Sequence, residues 1–202
     1  MTSRLRGLCW AYVSSLLSKS ALAVETGVSQ PTISSWLSIL EASGLVLLLP
    51  PYHRNYNKRL VKTPKLYWLD SGLLCYLLRI GSATALREHP FRGAIFESFV
   101  LGEVFKEQVA KQTEADVYFW RDRSGHEVDL ILERDGVPTA IEVKATETVR
   151  KDLFKGLNTW KTLVRGESST EPVLVYAGNE SLNRSGYKVV GWQAIASLVR
   201  AR

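Results

Sequence analysis

Between Glu127 and Ala145 the chain reads EVDLILERDGVPTAIEVKA, two runs that alternate polar with apolar residues around an Asp135-Gly136 pair. Alternation with a period of two predicts strands, and a short loop containing Asp-Gly can join them as a hairpin. Strand geometry sends successive side chains to opposite faces. Glu142 and Lys144 then project together, with Ile141, Val143 and Ala145 on the other side. In the first strand Glu127, Asp129 and Ile131 are expected to share a face, opposite Val128, Leu130 and Leu132. Pairing through Arg134 to Pro138 would bring Asp129 near Glu142. Two carboxylates and an ammonium then meet where a sheet ordinarily carries Val, Thr or Leu.

Carboxylates at close range repel, and keeping both ionised and half-buried is costly unless a cation intervenes. Mg²⁺ meets that need, because it takes oxygen ligands, retains waters, and binds through one or two carboxylates plus a substrate phosphate. Such an ion lowers the pKa of a bound water and stabilises charge in phosphoryl chemistry. Lys144 can hold the attacking water or neutralise the scissile phosphate. The implied reaction is hydrolysis of a phosphodiester. The plainer alternative is a cross-strand ion-pair ladder that contributes little beyond solubility.

The rest of the chain divides in two. Leu5, Leu8, Cys9, Tyr12, Val13, Leu16 and Leu17 recur at three- and four-residue intervals, which predicts an amphipathic helix. Ser20 is expected to cap a short helix to Thr26, with Gly27 at the turn. Ser29 is expected to cap a second helix that presents Ile33, Leu37 and Leu40 on one face. Two predicted strands, LVLLLP and KLYWLD, flank the basic loop PYHRNYNKRLVKTP, so residues 1–80 read as a winged helix-turn-helix domain closed by a connector helix, SGLLCYLLRI. GSATALREHPFRG reads as a linker. Residues 81–202 then run helix, three strands, basic helix, strand, short strand and helix. This order predicts an α/β sandwich with a mixed central sheet.

Of 202 residues, 26 are Lys or Arg and 20 Asp or Glu, a net charge of +6 that favours a polyanionic partner. No acid lies between Glu41 and Asp70, while Arg54, Lys58, Arg59, Lys62 and Lys65 do. Arg150, Lys151, Lys155, Lys161 and Arg165 form a second basic run, and a solvated face is the ordinary fate of either. No Lys or Arg lies between Lys19 and Arg54, so the second helix of the helix-turn-helix offers Gln30, Thr32, Ser34 and Ser35 for bases. Phosphate contacts fall to Arg54, Lys58, Arg59 and Lys62 of the loop. Cys9 and Cys75 show no disulfide or zinc spacing, and His53, His89 and His126 are scattered. No apolar run is long enough to cross a bilayer and no signal-peptide layout opens the chain, which leads to an expected cytoplasmic location without a membrane partner.

The order Glu97 on a helix, Asp129 on a strand and Glu142-Val143-Lys144 on the next resembles the PD-(D/E)XK nuclease superfamily, with Val128 standing where that name has proline. The resemblance implies a restriction-endonuclease-like fold and a site using Mg²⁺ or Mn²⁺. It makes Asp129, Glu142 and the Val143 carbonyl metal ligands, Lys144 the catalytic lysine, and Glu97 a further site acid. More of the chain, from TGVSQPTISSWLSILEASGLV through FESFVLGEV to AIEVKA, resembles the C-terminal region of prokaryotic AAA+ ATPase-like proteins, where a winged helix and a nuclease-like domain of unknown function follow an ATPase module. The ATPase loop GxxxxGK[ST] is absent from the sequence, as in a fragment or a shortened relative. The expected function is metal-dependent phosphodiester cleavage of DNA. The alternative is a catalytically inactive DNA-binding or protein-interaction module that once served such an ATPase.

Overall fold

The computed structural model describes residues 14–53, 61–110, 116–166 and 168–200. It is a mixed α/β structure, with seven α-helices among the described residues and two sheets. By its contacts the chain falls into two compact units. Unit 1 comprises Met1–Leu49 and Thr63–Gly102, and unit 2 comprises Pro50–Lys62 and Glu103–Arg202. This grouping follows contacts made in space, so against a cut near residue 80 it places 50–62 in the second unit and keeps 81–102 in the first.

In unit 1, α1 (Lys19–Thr26) is capped by Ser18, whose side chain accepts from the Ala21 N–H, so the start lies upstream of the Ser20 cap expected above. Gly27 adopts the left-handed conformation, with φ 67°, that turns the chain into α2 (Gln30–Ala42). Ser29 caps α2 and Pro31 sits in its first turn, where the missing N–H costs nothing. Ile33 and Leu37 are buried, and they join Leu22, Val46, Leu66 and Trp68 in one core. β2 (Val46–Leu49) pairs antiparallel with β3 (Lys65–Trp68), and β1 (Ser15–Leu16) lines the other edge of β3. Ser15–Leu16 is therefore strand rather than the end of the expected N-terminal helix. The open edge of β3 offers backbone partners that outweigh helical periodicity there, and residues 1–13 lie outside the described residues. α3 (Ser71–Leu77) is capped by Asp70. α4 (Ala83–Glu88), capped by Ser82, occupies what reads in sequence as a linker. A serine cap suffices to start this short helix inside a polar stretch.

The loop after β2 is described at its two ends, 50–53 and 61–64. Its described ends hydrogen-bond to a strand of unit 2, β4 (Val117–Arg121). Phe119 donates to the Pro50 carbonyl, Tyr52 donates to the Phe119 carbonyl, and Val61 donates to the Arg121 carbonyl. The cause is the unpaired edge of β4, which takes up a passing chain as a sheet edge generally does.

α5 (Arg92–Ala110) leads into the six-stranded sheet of unit 2, whose order is β4-β5-β6-β7-β9-β8. β5 (Glu127–Arg134) is antiparallel to β4 and to β6 (Val137–Lys144). β7 (Val173–Tyr176) and β9 (Tyr187–Gly191) run parallel to β6, and β8 (Leu182–Arg184) closes the edge antiparallel to β9. A 3-10 turn (Lys151–Phe154) precedes α6 (Lys155–Leu163), and α7 (Ile195–Arg200) ends the described chain. Trp120, Val128, Ile131, Leu157, Trp160 and Leu174 belong to one buried cluster, with the Trp120 and Trp160 rings edge to face at 6.0 Å.

Candidate active site

The β5–β6 hairpin turns on two residues, Asp135 at φ 51° and Gly136 at φ 75°. Positive φ at both positions is the requirement of a tight turn matched to the strand twist, and Asp-Gly meets it at low cost. The turn fixes the register Arg134↔Val137 through Leu130↔Ile141. Beyond Leu130 the ladder stops, and a side chain replaces backbone. Asp129 Oδ2 accepts the Val143 N–H at 2.8 Å, holding the carboxylate against β6.

The alternation expected along β5 is broken at this point. Tyr118 faces Ile131 and Trp120 faces Val128, so β5 carries one more residue than β4 between those pairs. Val128 and Ile131 consequently enter the same core cluster instead of opposite faces. A bulge inserts an unpaired residue and re-aims its neighbours, and this one falls in the interval that contains Asp129.

Lys144 extends from the end of β6 between the two acids. Its ammonium is 2.6 Å from Glu142 Oε1 and 3.5 Å from Asp129 Oδ2. Glu142 is buried, with side-chain exposure of 9%, against 12% for Asp129 and 33% for Lys144. The lysine is thus the member of the trio most open to solvent. Ala177 donates to the Lys144 carbonyl, and backbone groups alternate along a strand, so the Val143 N–H and C=O turn toward β5 and Asp129. Gly156, in the first turn of α6, closes the other side. A Cβ there would come within 2.5 Å of the Glu127 carbonyl and 2.7 Å of Glu142 Oε2. Sequence reasoning missed Gly156, and the available signal was a glycine near the start of a helix that otherwise favours residues with side chains.

Glu97 belongs to unit 1, where it accepts from the Tyr67 hydroxyl and lies 3.5 Å from Lys65 Nζ. Lys65 is buried on β3, and neither it nor Tyr67 was singled out from sequence as a site residue. Gln30 and Ser35 are exposed on α2. The Thr32 hydroxyl is 2.9 Å from that of Ser29 in the cap, and the Ser34 carbonyl accepts from Ser38. Lys62 is exposed, whereas Arg54, Lys58 and Arg59 lie outside the described residues. At the start of β5, His126 Nδ1 is 2.9 Å from the buried Asp122 carboxylate.

The donors at the trio are hard oxygens, from Asp129, Glu142 and the Val143 carbonyl. Among the described residues no group of three or more His, Cys, Asp or Glu side chains assembles. Two carboxylates are what a Mg²⁺ site uses when waters and a substrate phosphate complete its shell, so this donor set fits such an ion. No helix among the described residues is long and apolar enough to cross a membrane.

A family model described as a domain of unknown function (DUF8612) matches residues 1–84. A second, also described as a domain of unknown function (DUF4143), matches residues 92–195. Two curated relatives are the uncharacterized proteins Rv2008c of Mycobacterium tuberculosis and Mb2031c of Mycobacterium bovis. Each is 37% identical over 137 residues, which is 68% of this chain and 30% of the relative. The chain thus matches less than a third of the length of those relatives. No solved structure matches it. The DUF4143 model extends over more than half of the sequence and takes in Asp129, Glu142, Lys144 and Gly156, and on that ground the chain belongs to the DUF4143 family.

Proposed function

We propose that unit 2 is a metal-dependent phosphodiesterase domain of PD-(D/E)XK type acting on DNA, and that unit 1 together with the basic loop after β2 is a winged helix-turn-helix module serving it. The observation that carries this reading is the convergence of the Asp129 and Glu142 carboxylates on the single Lys144 ammonium where the β5–β6 ladder opens. Bound Mg²⁺ or Mn²⁺ would supply a water of lowered pKa and neutralise charge on the phosphoryl group. Asp129 is oriented for this role by the Val143 N–H, and Glu142 by the packing of Gly156. Lys144, the member most open to solvent, would meet a scissile phosphate or hold the attacking water. Gln30, Thr32, Ser34 and Ser35 would face bases, with Arg54, Lys58, Arg59 and Lys62 on phosphates.

The test is incubation with labelled single-stranded, duplex and branched DNA in Mg²⁺, Mn²⁺ or EDTA, beside Asp129→Ala and Lys144→Ala. Metal-dependent cleavage that falls by about 10²-fold or more in both variants is the expected result. A second reading is supported by the same ion pairs. Because Lys144 already pairs with both acids, the trio can be a settled structural cluster in an inactive DNA-binding or protein-interaction module, with an AAA+ ATPase module as its partner. DNA retention without cleavage would favour that reading for DNA, and no retention would favour protein partners.

A further inference from the structure

The exposed surface of α6 and of the β8–β9 hairpin carries cations that the trio does not use. Arg150, Lys151, Lys155 and Arg165 are exposed along the 3-10 turn, α6 and the turn that follows, and Arg184 and Lys188 are exposed on the hairpin. The two elements are fastened together. Lys161 Nζ donates to the Gly186 carbonyl at 2.7 Å and lies 3.9 Å from the centre of the Tyr187 ring. The Tyr187 hydroxyl donates to Asn158, and its ring stacks on Phe154 at 4.7 Å. Burial raises the Tyr187 phenol above its ordinary value, which keeps its hydroxyl a donor to Asn158. Asp152, 3.5 Å from Arg150, is the one acid in the run 150–165.

A basic run on a surface helix is ordinarily just solvated. Two features separate this one from that default. Its cations ride on packed elements, so their spacing is fixed before any ligand arrives. Its helix also starts at the trio, since Gly156 abuts Glu142 and Lys155 is the next residue back. The helix-turn-helix, by contrast, has no cation between Lys19 and Arg54.

We propose that this face binds the phosphate backbone of a duplex nucleic acid and leads it to Asp129, Glu142 and Lys144. Its purpose rests on the phosphodiesterase reading, but its binding does not. At about 1.5 Å of rise per residue, α6 from Lys155 to Leu163 spans roughly 12 Å, the axial length of between about three and four nucleotides at 3.4 Å each, with Arg150 and Lys151 before it and Arg165 after it. Phosphates of one strand can therefore meet several of these cations at once.

The full chain carrying Asp129→Asn, in EDTA, is titrated with fluorescently labelled duplex DNA by anisotropy across a range of salt concentrations. Adding Lys151→Gln, Lys155→Gln and Arg165→Gln together is expected to weaken binding by at least about tenfold near 0.1 M salt. It should also lower the log–log salt slope by about 2 to 3. A charge-matched set, Arg87→Gln, Lys106→Gln and Arg123→Gln, should leave the slope in place. Equal loss in both sets, an unchanged slope in the first, or capture by phosphatidylserine vesicles without capture of duplex would each overturn the proposal. Cleavage is not read, so binding through this face by a protein that cuts nothing would uphold the face while the phosphodiesterase reading failed. Lys161 is left intact because it clamps Tyr187.

Discussion

Asp129 does two jobs with one oxygen: Oδ2 accepts the Val143 N–H and also faces Lys144. The two jobs separate by substitution. Asn keeps an acceptor for the backbone and discards the charge, whereas Ala leaves a part-buried N–H without its partner, at a cost of about 1–3 kcal/mol. Urea denaturation should therefore find Asp129→Ala less stable than Asp129→Asn by about that amount, while the proposed cleavage would be lost in both. Equal stabilities would mean that the Val143 bond is not what holds β5 against β6 beyond Leu130. The residue types of the trio were legible in sequence because acids and a lysine stand out on an apolar strand. Gly156 was not, because its importance comes from a carboxylate and a carbonyl remote in sequence. Nor was the Lys65–Tyr67–Glu97 contact, which brings β3 and α5 together across about thirty residues.

At the scale of elements, the hairpin turn sets everything that follows on β5 and β6. Gly136 has φ 75° with open space around its missing Cβ, so Gly136→Ala meets no clash and pays only backbone strain. A loss of about 1 kcal/mol is expected, measured by thermal or urea unfolding. Asp-Gly between alternating strands made this hairpin readable, as Ser29-Gln30-Pro31 made α2 readable. The elements that escaped are those whose cause lies elsewhere in space. β1 exists because β3 has an edge to fill, and β8, exposed along its whole length, exists because β9 does. The bulge in β5 arises from pairing with β4, and no periodicity within EVDLILE announces it.

At the scale of the molecule, the two units have separate cores. Leu37 is packed among Leu22, Ile33, Val46 and Trp68, and Trp160 among Trp120, Val128, Leu157 and Leu174. Leu37→Ala should cost about 2–5 kcal/mol and Trp160→Ala about 3–5 kcal/mol. Native-state hydrogen exchange is the measurement. The first substitution should release amides such as those of Ile33 and Leu66, and the second those of Leu174 and Val189. A pattern with no such regional bias would contradict the division. That division was only partly legible in sequence, because the described ends of the loop at 50–62 hydrogen-bond with β4 and the stretch 81–102 groups with the first unit.

The substitution of a carboxylate for a rung of the β5–β6 ladder has a bearing on how such a domain would lose the chemistry proposed for it. Wherever the acceptor at 129 is kept as an amide, the molecule can be disarmed without being unmade. A folded, silent descendant thus lies a single exchange of oxygen for nitrogen away from an armed one. Shape alone would not tell the two apart.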